Sequence, residues 1–498
     1  MMNWPWPSDR AGNWIVIGLR AGCSVLLMGL LVADSRGADW SLQIGDGNGR
    51  TLRPLLGVNA GPYPVGEPGN VDLTTEYQDL GVNLVRNHDF YGPLDMAEMY
   101  PDHTADPDLA SSYNFTESDV RFEAILDAGL VPYFRLGDSY NNSSPPNPAN
   151  VPNYVQASVN VVRHYREGQW DGFNSGFPYV EIWNEPGGHF WPGQTQAQFN
   201  AFYIAVAEGL RAGFADLKIG GPGWAPSGAL APGGRETVAS FLDTVDAASA
   251  PLDFLSWHIY TNDPQDYAEA ADFYRDELNS RGMTATESHI SEWNTSTSAG
   301  NLNETRIGAR GAAINTAAWI ALQDSDVVVS TFYRGNDTST DLPTFHGIFR
   351  ADGTPKKTAL AFDLWSDVAA HPDQRELAIT NGTSGDLWAL VGEDPAGNIA
   401  VLVSNLDEAA THYEVSFDSA TGLDISQYVV RVFEVSDHLS EIGVSLADPR
   451  DISIGGHTVH LVTLLIPEPS TLALLAFAAL GVFPPTVASR PRRHCKNS

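Results

Sequence analysis

Cysteine is nearly absent from this chain of 498 residues. Its two cysteines, Cys23 and Cys495, lie close to the two ends, and the long stretch between them contains none. This excludes a disulfide framework, a thiol nucleophile and a cysteine-based metal site there. The sequence also lacks a glycine-rich phosphate loop and a cluster with metal-ligand spacing, so we expect neither a cofactor nor a metal ion.

Basic residues are scarce. Lysine and arginine together number 28 against 61 aspartates and glutamates, which gives a formal net charge of −33. Such a surface repels the phosphates of nucleic acids and the anionic headgroups of membranes. We therefore expect no nucleic-acid partner, and contact with a membrane only through the terminal segments.

The N-terminal residues 1–38 have the order of a secretory signal peptide. Arg10 and Arg20 precede an apolar run at residues 25–33, and small residues follow, with cleavage expected between Ser35 and Ala38. The run is shorter than a typical membrane span. An uncleaved anchor is the alternative.

Residues 467–498 have a second processing signature. The motif Pro467-Glu468-Pro469 leads into the nearly apolar residues 472–483, and a basic end follows with Arg490, Arg492 and Arg493. This order resembles the PEP-CTERM sorting tail, and the resemblance implies recognition by exosortase-type processing machinery. The alternative is a plain C-terminal anchor oriented by its basic end. Either interpretation predicts an exported bacterial protein that is secreted or held at the cell surface or in the extracellular matrix.

Apolar, β-prone runs alternate with helical stretches over residues 50–367. Eight such units predict an α/β fold, a (β/α)8 TIM barrel with parallel strands. The predicted strands are Leu55–Asn59, Val82–His88, Leu130–Leu136, Tyr179–Asn184, Leu217–Pro222, Phe254–Tyr260, His289–Trp293 and Val327–Tyr333.

One of the intervening helices has a clear start. Thr195 and Gln198 form a capping-box pattern. Apolar residues then recur with helical spacing, which predicts a stripe that packs on the barrel: Phe199, Phe202, Tyr203, Val206 and Leu210.

The pattern changes after about Trp365. Short β-prone runs separated by glycine, aspartate and asparagine predict an accessory all-β sandwich over residues 374–466. We expect residues 39–49, with the early strand Trp40–Ile44, to join this domain.

Two glutamates end predicted barrel strands. Glu185 follows the fourth strand in Asn184-Glu185-Pro186, and Glu292 lies at the end of the seventh. Strand ends at the C-terminal face of a barrel surround one pocket, so the two carboxylates are expected to face each other. A retaining glycosidase needs two carboxyl groups about 5–5.5 Å apart, one protonated and one ionised. We assign Glu185 as general acid/base and Glu292 as nucleophile.

Other strand ends carry candidates for substrate binding. We expect Tyr260 to hydrogen-bond Glu292, His258 to contact the sugar or the acid, and Asn184 and His88 to hold sugar hydroxyls. A structural hydrogen-bonding role is the alternative for either histidine. Four aromatic residues complete the set, and for the tryptophans core packing is the alternative to stacking on sugar: Trp191, Trp224, Trp293 and Tyr333.

Several motifs together resemble glycoside hydrolase family 39, which contains β-xylosidases and α-L-iduronidases. They occur in the family's order between about residues 55 and 365, and are Arg86-Asn87-His88, Val180–Pro186, Phe190-Trp191, Lys218–Pro222, Ile290–Ser296, Phe345-His346-Gly347 and Pro355-Lys356. The resemblance implies a (β/α)8 barrel with a β-sandwich, net retention of configuration, Glu185 as acid/base and Glu292 as nucleophile. Trp293 stands where the family usually has phenylalanine, and residues 331–337 depart from the β-xylosidase pattern.

The main hypothesis is a secreted retaining glycosidase, β-xylosidase-like, that acts on an oligo- or polysaccharide. One alternative is an endo-acting barrel glycanase for matrix, plant or algal polysaccharide. Another, from a different class, is a non-catalytic carbohydrate-binding surface protein.

Overall fold

Eight parallel strands close into a barrel in the computed structural model, following a strand β1 (Trp40–Thr51) that belongs to a separate sheet. The barrel order follows the chain, and β2 closes the ring by pairing with β9, Val58 opposite Phe332. This confirms the predicted (β/α)8 fold. The barrel strands are β2 (Gly57–Asn59), β3 (Leu84–Arg86), β4 (Val131–Leu136), β5 (Tyr179–Ile182), β6 (Lys218–Trp224), β7 (Phe254–Tyr260), β8 (Glu287–Asn294) and β9 (Val327–Phe332).

The structure describes residues 38–64, 66, 70–140, 143–297, 300–380 and 386–467. Apart from Ala38 and Pro467, the predicted signal peptide and sorting tail lie outside these residues, as do both cysteines. Within the part of the chain that is described, no helix is long and apolar enough to cross a membrane.

Helices alternate with the barrel strands and cover them. They are α1 (Thr74–Asp79), α2 (Met96–Met99), α3 (Thr116–Asp127), α4 (Val151–Glu167), α5 (Gln196–Gly213), α6 (Ser227–Leu230), α7 (Pro232–Ala248), α8 (Pro264–Ser280), α9 (Ala309–Gln323) and α10 (Lys357–Ala369).

The predicted start of α5 is confirmed. The Thr195 side chain accepts from the Gln198 backbone N–H at 3.3 Å, and the Gln198 side chain accepts from the Thr195 N–H at 2.8 Å. The whole predicted apolar stripe is buried. Phe202, for example, packs edge-on against Trp183 beside the end of β5. The stripe therefore fixes the helix against the strand that precedes Glu185.

The remaining strands form one curled nine-stranded sheet, which confirms the accessory all-β domain. As predicted, β1 joins it, antiparallel to β10 and parallel to β13. Buried side chains such as Leu42, Val401 and Val462 form its core. These strands are β10 (Asp373–Thr380), β11 (Leu387–Glu393), β12 (Ile399–Asn405), β13 (Thr411–Phe417), β14 (Val429–Val435), β15 (Gly443–Leu446), β16 (Ile452–Ile454) and β17 (Thr458–Leu465).

Strands β10, β15 and β16 were not predicted from the sequence. Strand β10 has Asp373, Arg375 and Glu376 in its first half, so it lacks the apolar alternation of a core strand. Strand β15 is an edge strand whose Val444 and Leu446 are exposed. Such strands are recruited by backbone pairing with neighbours rather than by a hydrophobic pattern of their own.

The sheet packs on α9, the helix that precedes the last barrel strand. Nearly every residue of α9 is buried, as expected for a helix that is apolar on all sides. Ser404 of β12 donates to the Ala313 carbonyl at 2.8 Å, and Asp437 accepts from the Ala309 N–H at 2.8 Å. The accessory sheet thus supports the back of the barrel beside β8 and β9.

Candidate active site

Two glutamates and a histidine meet at the C-terminal mouth of the barrel. Glu185 follows β5, His258 lies on β7 and Glu292 on β8. One carboxylate oxygen of each glutamate and one ring nitrogen of His258 all lie within 4.8 Å of one another. The structure therefore brings the two sequence-predicted carboxylates together across one small space.

The turn after β5 holds Glu185 in a conformation that side chains rarely adopt. Trp183 has a φ of 77° and Glu185 a φ of 44°, both in the left-handed region. Each such residue costs on the order of 1–3 kcal/mol and persists only where its surroundings require it. Here the Trp183 N–H bonds the Leu136 carbonyl at 2.6 Å, and the Glu185 N–H bonds the Gly223 carbonyl at 3.0 Å. The neighbouring strands therefore fix this turn.

Glu292 is surrounded by donors. Arg86 donates to Oε1 at 2.8 Å, the Tyr260 hydroxyl donates to Oε2 at 2.6 Å, and His88 Nε2 lies 3.2 Å from Oε1. Burial raises the pKa of Glu292, whereas His258, Arg86 and the Tyr260 hydrogen bond act to lower it. The Tyr260 contact is the one expected from the sequence.

Glu185 has fewer partners and keeps some exposure to solvent. Its Oε1 lies 2.7 Å from Nδ1 of His258. The other ring nitrogen of His258, Nε2, lies 3.2 Å from the Ser291 hydroxyl. Burial raises the pKa of Glu185 to about 7, with a further increase from Asp89 and an opposing effect of Arg86. Burial lowers the pKa of His258 to about 4, so this imidazole is neutral at pH 7.

A fully buried arginine connects the site and was not among the residues selected from the sequence. Arg86 donates to Glu181 at 2.6 Å, to the Asn59 amide oxygen at 2.9 Å and to the Asn184 amide oxygen at 2.6 Å, besides Glu292. The Arg86 charge lowers the pKa of Glu181 although burial alone would raise it. The signal in the sequence was a charged residue within each of two apolar predicted strands, Arg86 in Val82–His88 and Glu181 in Tyr179–Asn184.

Three other predicted residues lie beside the pair. Asn184 and His88 are buried next to Arg86 and Glu292. The Tyr333 hydroxyl donates to Asp89, and the Tyr333 ring lies 6.4 Å from that of His88 and 6.0 Å from that of Tyr260. The structure thus brings Asn184, His88, His258, Tyr260 and Tyr333 around the two glutamates.

The three predicted tryptophans do not lie there, and the expectation that they stack on sugar is corrected. Trp293 is fully buried against Trp365 of α10 and Phe332 of β9. Trp191 packs against Trp183 and two phenylalanines of α5, and Trp224 against Phe241 of α7. Adjacent residues of a strand point to opposite faces, so Trp293 points to the helices because Glu292 points inward.

The two glutamates and His258 also have the spacing of a cation site. Both oxygens of Glu292, however, already accept from Arg86 and Tyr260. The guanidinium supplies the positive charge that a metal ion would bring. The donor set therefore fits a pair of working carboxyl groups better than a metal centre.

The comparisons with known proteins agree with this geometry. The model of glycosyl hydrolases family 39 matches residues 69–292. A β-xylosidase of Geobacillus stearothermophilus is 25% identical over 370 residues, which cover 64% of this chain and 70% of that protein. The chain is a glycosidase. Over the residues matched, the chain is similar to family 39.

Solved structures are similar over most of the chain. A glucosidase from Croceicoccus marinus has a TM-score of 0.69 at 26% identity, covering 86% of this chain and 99% of that one. A monomeric β-xylosidase from Caulobacter crescentus has a TM-score of 0.65 at 16% identity, covering 86% of this chain and 100% of the other, and shows the shared fold. Because the chain is a glycosidase, the alternative of a non-catalytic carbohydrate-binding protein is wrong.

We expect Arg86→Met to lower both activity and stability. Activity should fall by roughly a hundredfold or more, since a buried donor to Glu292 is lost. The unfolding free energy should fall by about 3–5 kcal/mol, because the buried Glu181 loses its counter-charge. Steady-state kinetics and chemical denaturation measure the two effects.

The double variant Arg86→Met/Glu181→Leu separates the loss of activity from the loss of stability. It should recover part of the stability while activity stays low, because Glu181 then no longer leaves a buried charge without a partner, and Glu292 keeps its hydrogen bond from Tyr260. Arg50→Met is the control, since Arg50 pairs with Asp324 at an exposed site and should cost less than about 1 kcal/mol. Additive destabilisation in the double variant would contradict this account of the network.

Proposed function

We propose that this glycosidase hydrolyses its substrate with net retention, through a covalent glycosyl-enzyme. Glu292 attacks the anomeric carbon while Glu185 gives its proton to the leaving oxygen, and the glycosidic bond breaks. Glu185 then takes a proton from water, and that water releases the sugar from Glu292. The observation that carries this proposal is the approach of the two carboxylates to within 4.8 Å, which leaves no room for a water between nucleophile and sugar.

The surroundings of each glutamate support its role. Arg86 and Tyr260 donate to Glu292, which favours the ionised form that a nucleophile needs. The raised pKa of Glu185, about 7, keeps this group protonated under mildly acidic conditions, as a general acid requires. His258 is neutral beside it and orients the carboxyl group without taking its proton permanently.

Asn184 and His88 are suited to hold sugar hydroxyls. The Asn184 amide oxygen accepts from Arg86, which directs the amide so that its nitrogen remains as a donor. Among the described residues, neither this nitrogen nor His88 Nδ1 has a hydrogen-bond partner. We propose that the Asn184 amide holds the 2-hydroxyl of the sugar and that His88 binds a neighbouring hydroxyl.

We propose β-glycosides as the substrate class, with β-xylosides and β-glucosides as the first to test. The relative from Geobacillus stearothermophilus is a β-xylosidase, and the related structure from Croceicoccus marinus is a glucosidase. Residues 331–337 depart from the β-xylosidase pattern, and Tyr333 of this segment lies beside His88. The sugar preference should therefore be measured across a panel of aryl glycosides.

Azide should separate the two glutamates. With an aryl β-glycoside, Glu292→Ala plus azide should yield the α-glycosyl azide, because azide replaces the missing nucleophile. Glu185→Ala plus azide should yield the β-glycosyl azide, because azide attacks the glycosyl-enzyme. Product anomers are assigned by NMR, with Glu408→Ala, an exposed site on the accessory domain, as control. Full activity in either active-site variant without azide would exclude its assigned role.

The pH profile should reflect Glu185. The acid works only when protonated, so kcat/KM should decline about tenfold per pH unit above a pH near 7. With an aryl glycoside whose leaving group needs no protonation, Glu185→Ala should lose this alkaline decline while retaining its first chemical step. An unchanged alkaline limb in that variant would assign the titration to another group.

We also propose that the glycosidase acts outside the cytoplasm and that its C-terminal tail is processed by exosortase-type machinery. The two terminal sequence patterns support this. Cell fractionation of the native host should find the enzyme in the medium, surface or matrix fraction. Replacing Pro467-Glu468-Pro469 by alanines should retain the tail in the membrane fraction. Cytoplasmic accumulation of the unaltered chain would refute the proposal.

A further inference from the structure

A cavity lies near the catalytic pair. It has a volume of about 180 Å³ and lies between the segment that follows β8 and the segment that follows β9. We call it the Arg306 pocket, and its lining includes Arg306, Leu342, Thr344, Phe345 and His346. A cavity of this size holds several water molecules, so we compare it with a single sugar unit rather than with a chain.

The Arg306 pocket shares a wall with the catalytic site. The His346 ring lies 5.6 Å from the ring of Tyr260, whose hydroxyl donates to Glu292. It also lies 5.1 Å from the ring of Tyr333. A ligand in this pocket is therefore one side chain away from the sugar held between the two glutamates.

Arg306 is an unusual residue to line such a cavity. It is only 5% exposed, and its guanidinium donates to the carbonyl oxygens of Thr295 at 2.9 Å and Ser296 at 3.1 Å, and to Nδ1 of His346. All of these acceptors are neutral. Within the described ranges Arg306 forms no ion pair, and its Nε has no hydrogen-bond partner. Burial lowers the pKa of Arg306 to about 10, so it still carries its charge at pH 7.

The neighbouring cations differ from Arg306 because each has a carboxylate nearby. Lys356 pairs with Asp337 at 2.6 Å, and Arg334 lies 3.8 Å from Asp341. Burial lowers the pKa of His346, and the three cations, Arg306, Lys356 and Arg334, lower it further because they lie near its ring. A chain with a net charge of −33 thus keeps a local excess of positive charge beside its catalytic site. A buried charge of this kind is normally compensated by a partner.

We propose that the Arg306 pocket binds the anionic group, a carboxylate or a sulfate ester, of a sugar unit next to the one that is cleaved. This extends the proposed function, on which it rests, because it names acidic oligosaccharides as the substrate class. The guanidinium offers the charge-assisted hydrogen bonds that carboxylates and sulfates accept. Phe345 and Leu342 supply apolar surface for the sugar ring, and the Thr344 hydroxyl supplies a further polar contact.

Binding of three probes to the full chain tests the proposal. Ligand-observed NMR titration compares D-glucuronate, glucose 6-sulfate and glucose. At least one anionic sugar should bind about tenfold or more tightly than glucose. The reason is that glucose has no charged group and cannot form the charge-assisted hydrogen bond to Arg306. The two anionic probes distinguish the carboxylate from the sulfate. Equal affinity for all three would overturn the proposal.

Three variants locate the binding. Arg306→Met should abolish the preference for anionic sugars, and Thr344→Trp, which fills the cavity without removing charge, should abolish it as well. Arg310→Met should keep it, because Arg310 pairs with Glu304 at a more exposed position in the first turn of α9. A preference that persists in both Arg306→Met and Thr344→Trp would overturn the assignment. If Arg306→Met does not fold, Thr344→Trp alone decides.

Hydrolysis of neutral aryl glycosides is measured on the same preparations. Turnover without anion preference would overturn the pocket while leaving the proposed two-step mechanism intact. An anion preference that depends on Arg306, in an enzyme that shows no azide chemistry at Glu185 and Glu292, would overturn the mechanism and leave the pocket.

Discussion

The contact between Arg86 and the carboxylates of Glu181 and Glu292 is the constraint on which the site depends. All three side chains are buried or nearly so, and the guanidinium joins strands β2, β3, β5 and β8 through its four partners. Breaking one partner of such a group leaves an unpaired charge in the barrel interior, which is strongly unfavourable. The same contact orients Asn184 and holds Glu292 at its position. Stability of the barrel and geometry of the site are therefore set by one network.

The network also distributes charge unevenly between the two glutamates. Glu292 has Arg86 and Tyr260 as direct donors, whereas Glu185 faces the neutral His258. Two similar side chains within 4.8 Å thus experience different surroundings, and burial raises the pKa of Glu185 to about 7. This difference is what acid/base and nucleophilic roles require of a carboxyl pair.

Packing behind the site keeps this arrangement rigid. The aromatic residues Trp183 and Phe202 hold the turn before Glu185 against α5, and Trp293 and Trp365 fill the space behind Glu292. The accessory sheet then covers α9. Inward-facing residues of the strands supply chemistry, while their outward-facing neighbours supply core. The two left-handed residues near Glu185 persist because this packing leaves their turn no alternative.

The sequence by itself determined the eight-stranded barrel, the accessory β domain, and the glutamates at the ends of the fourth and seventh barrel strands, β5 and β8. Those features depend on local patterns, namely apolar runs, turn residues and caps, which are read along the chain. The sequence also predicted that Glu185 and Glu292 face each other and that Tyr260 contacts Glu292, but the other contacts of the site were decided by the tertiary structure. Arg86 and Glu181 became partners because two strands bring them face to face, and their separation of 95 positions leaves no local trace. Trp191, Trp224 and Trp293 were candidates for stacking on sugar, with core packing as the alternative, and in the structure they pack behind the barrel. The role proposed for Arg306 likewise depends on the cavity that it lines, which only the folded chain contains. Burial and the pairing of charges are properties of the folded chain, since they depend on every element that surrounds a residue.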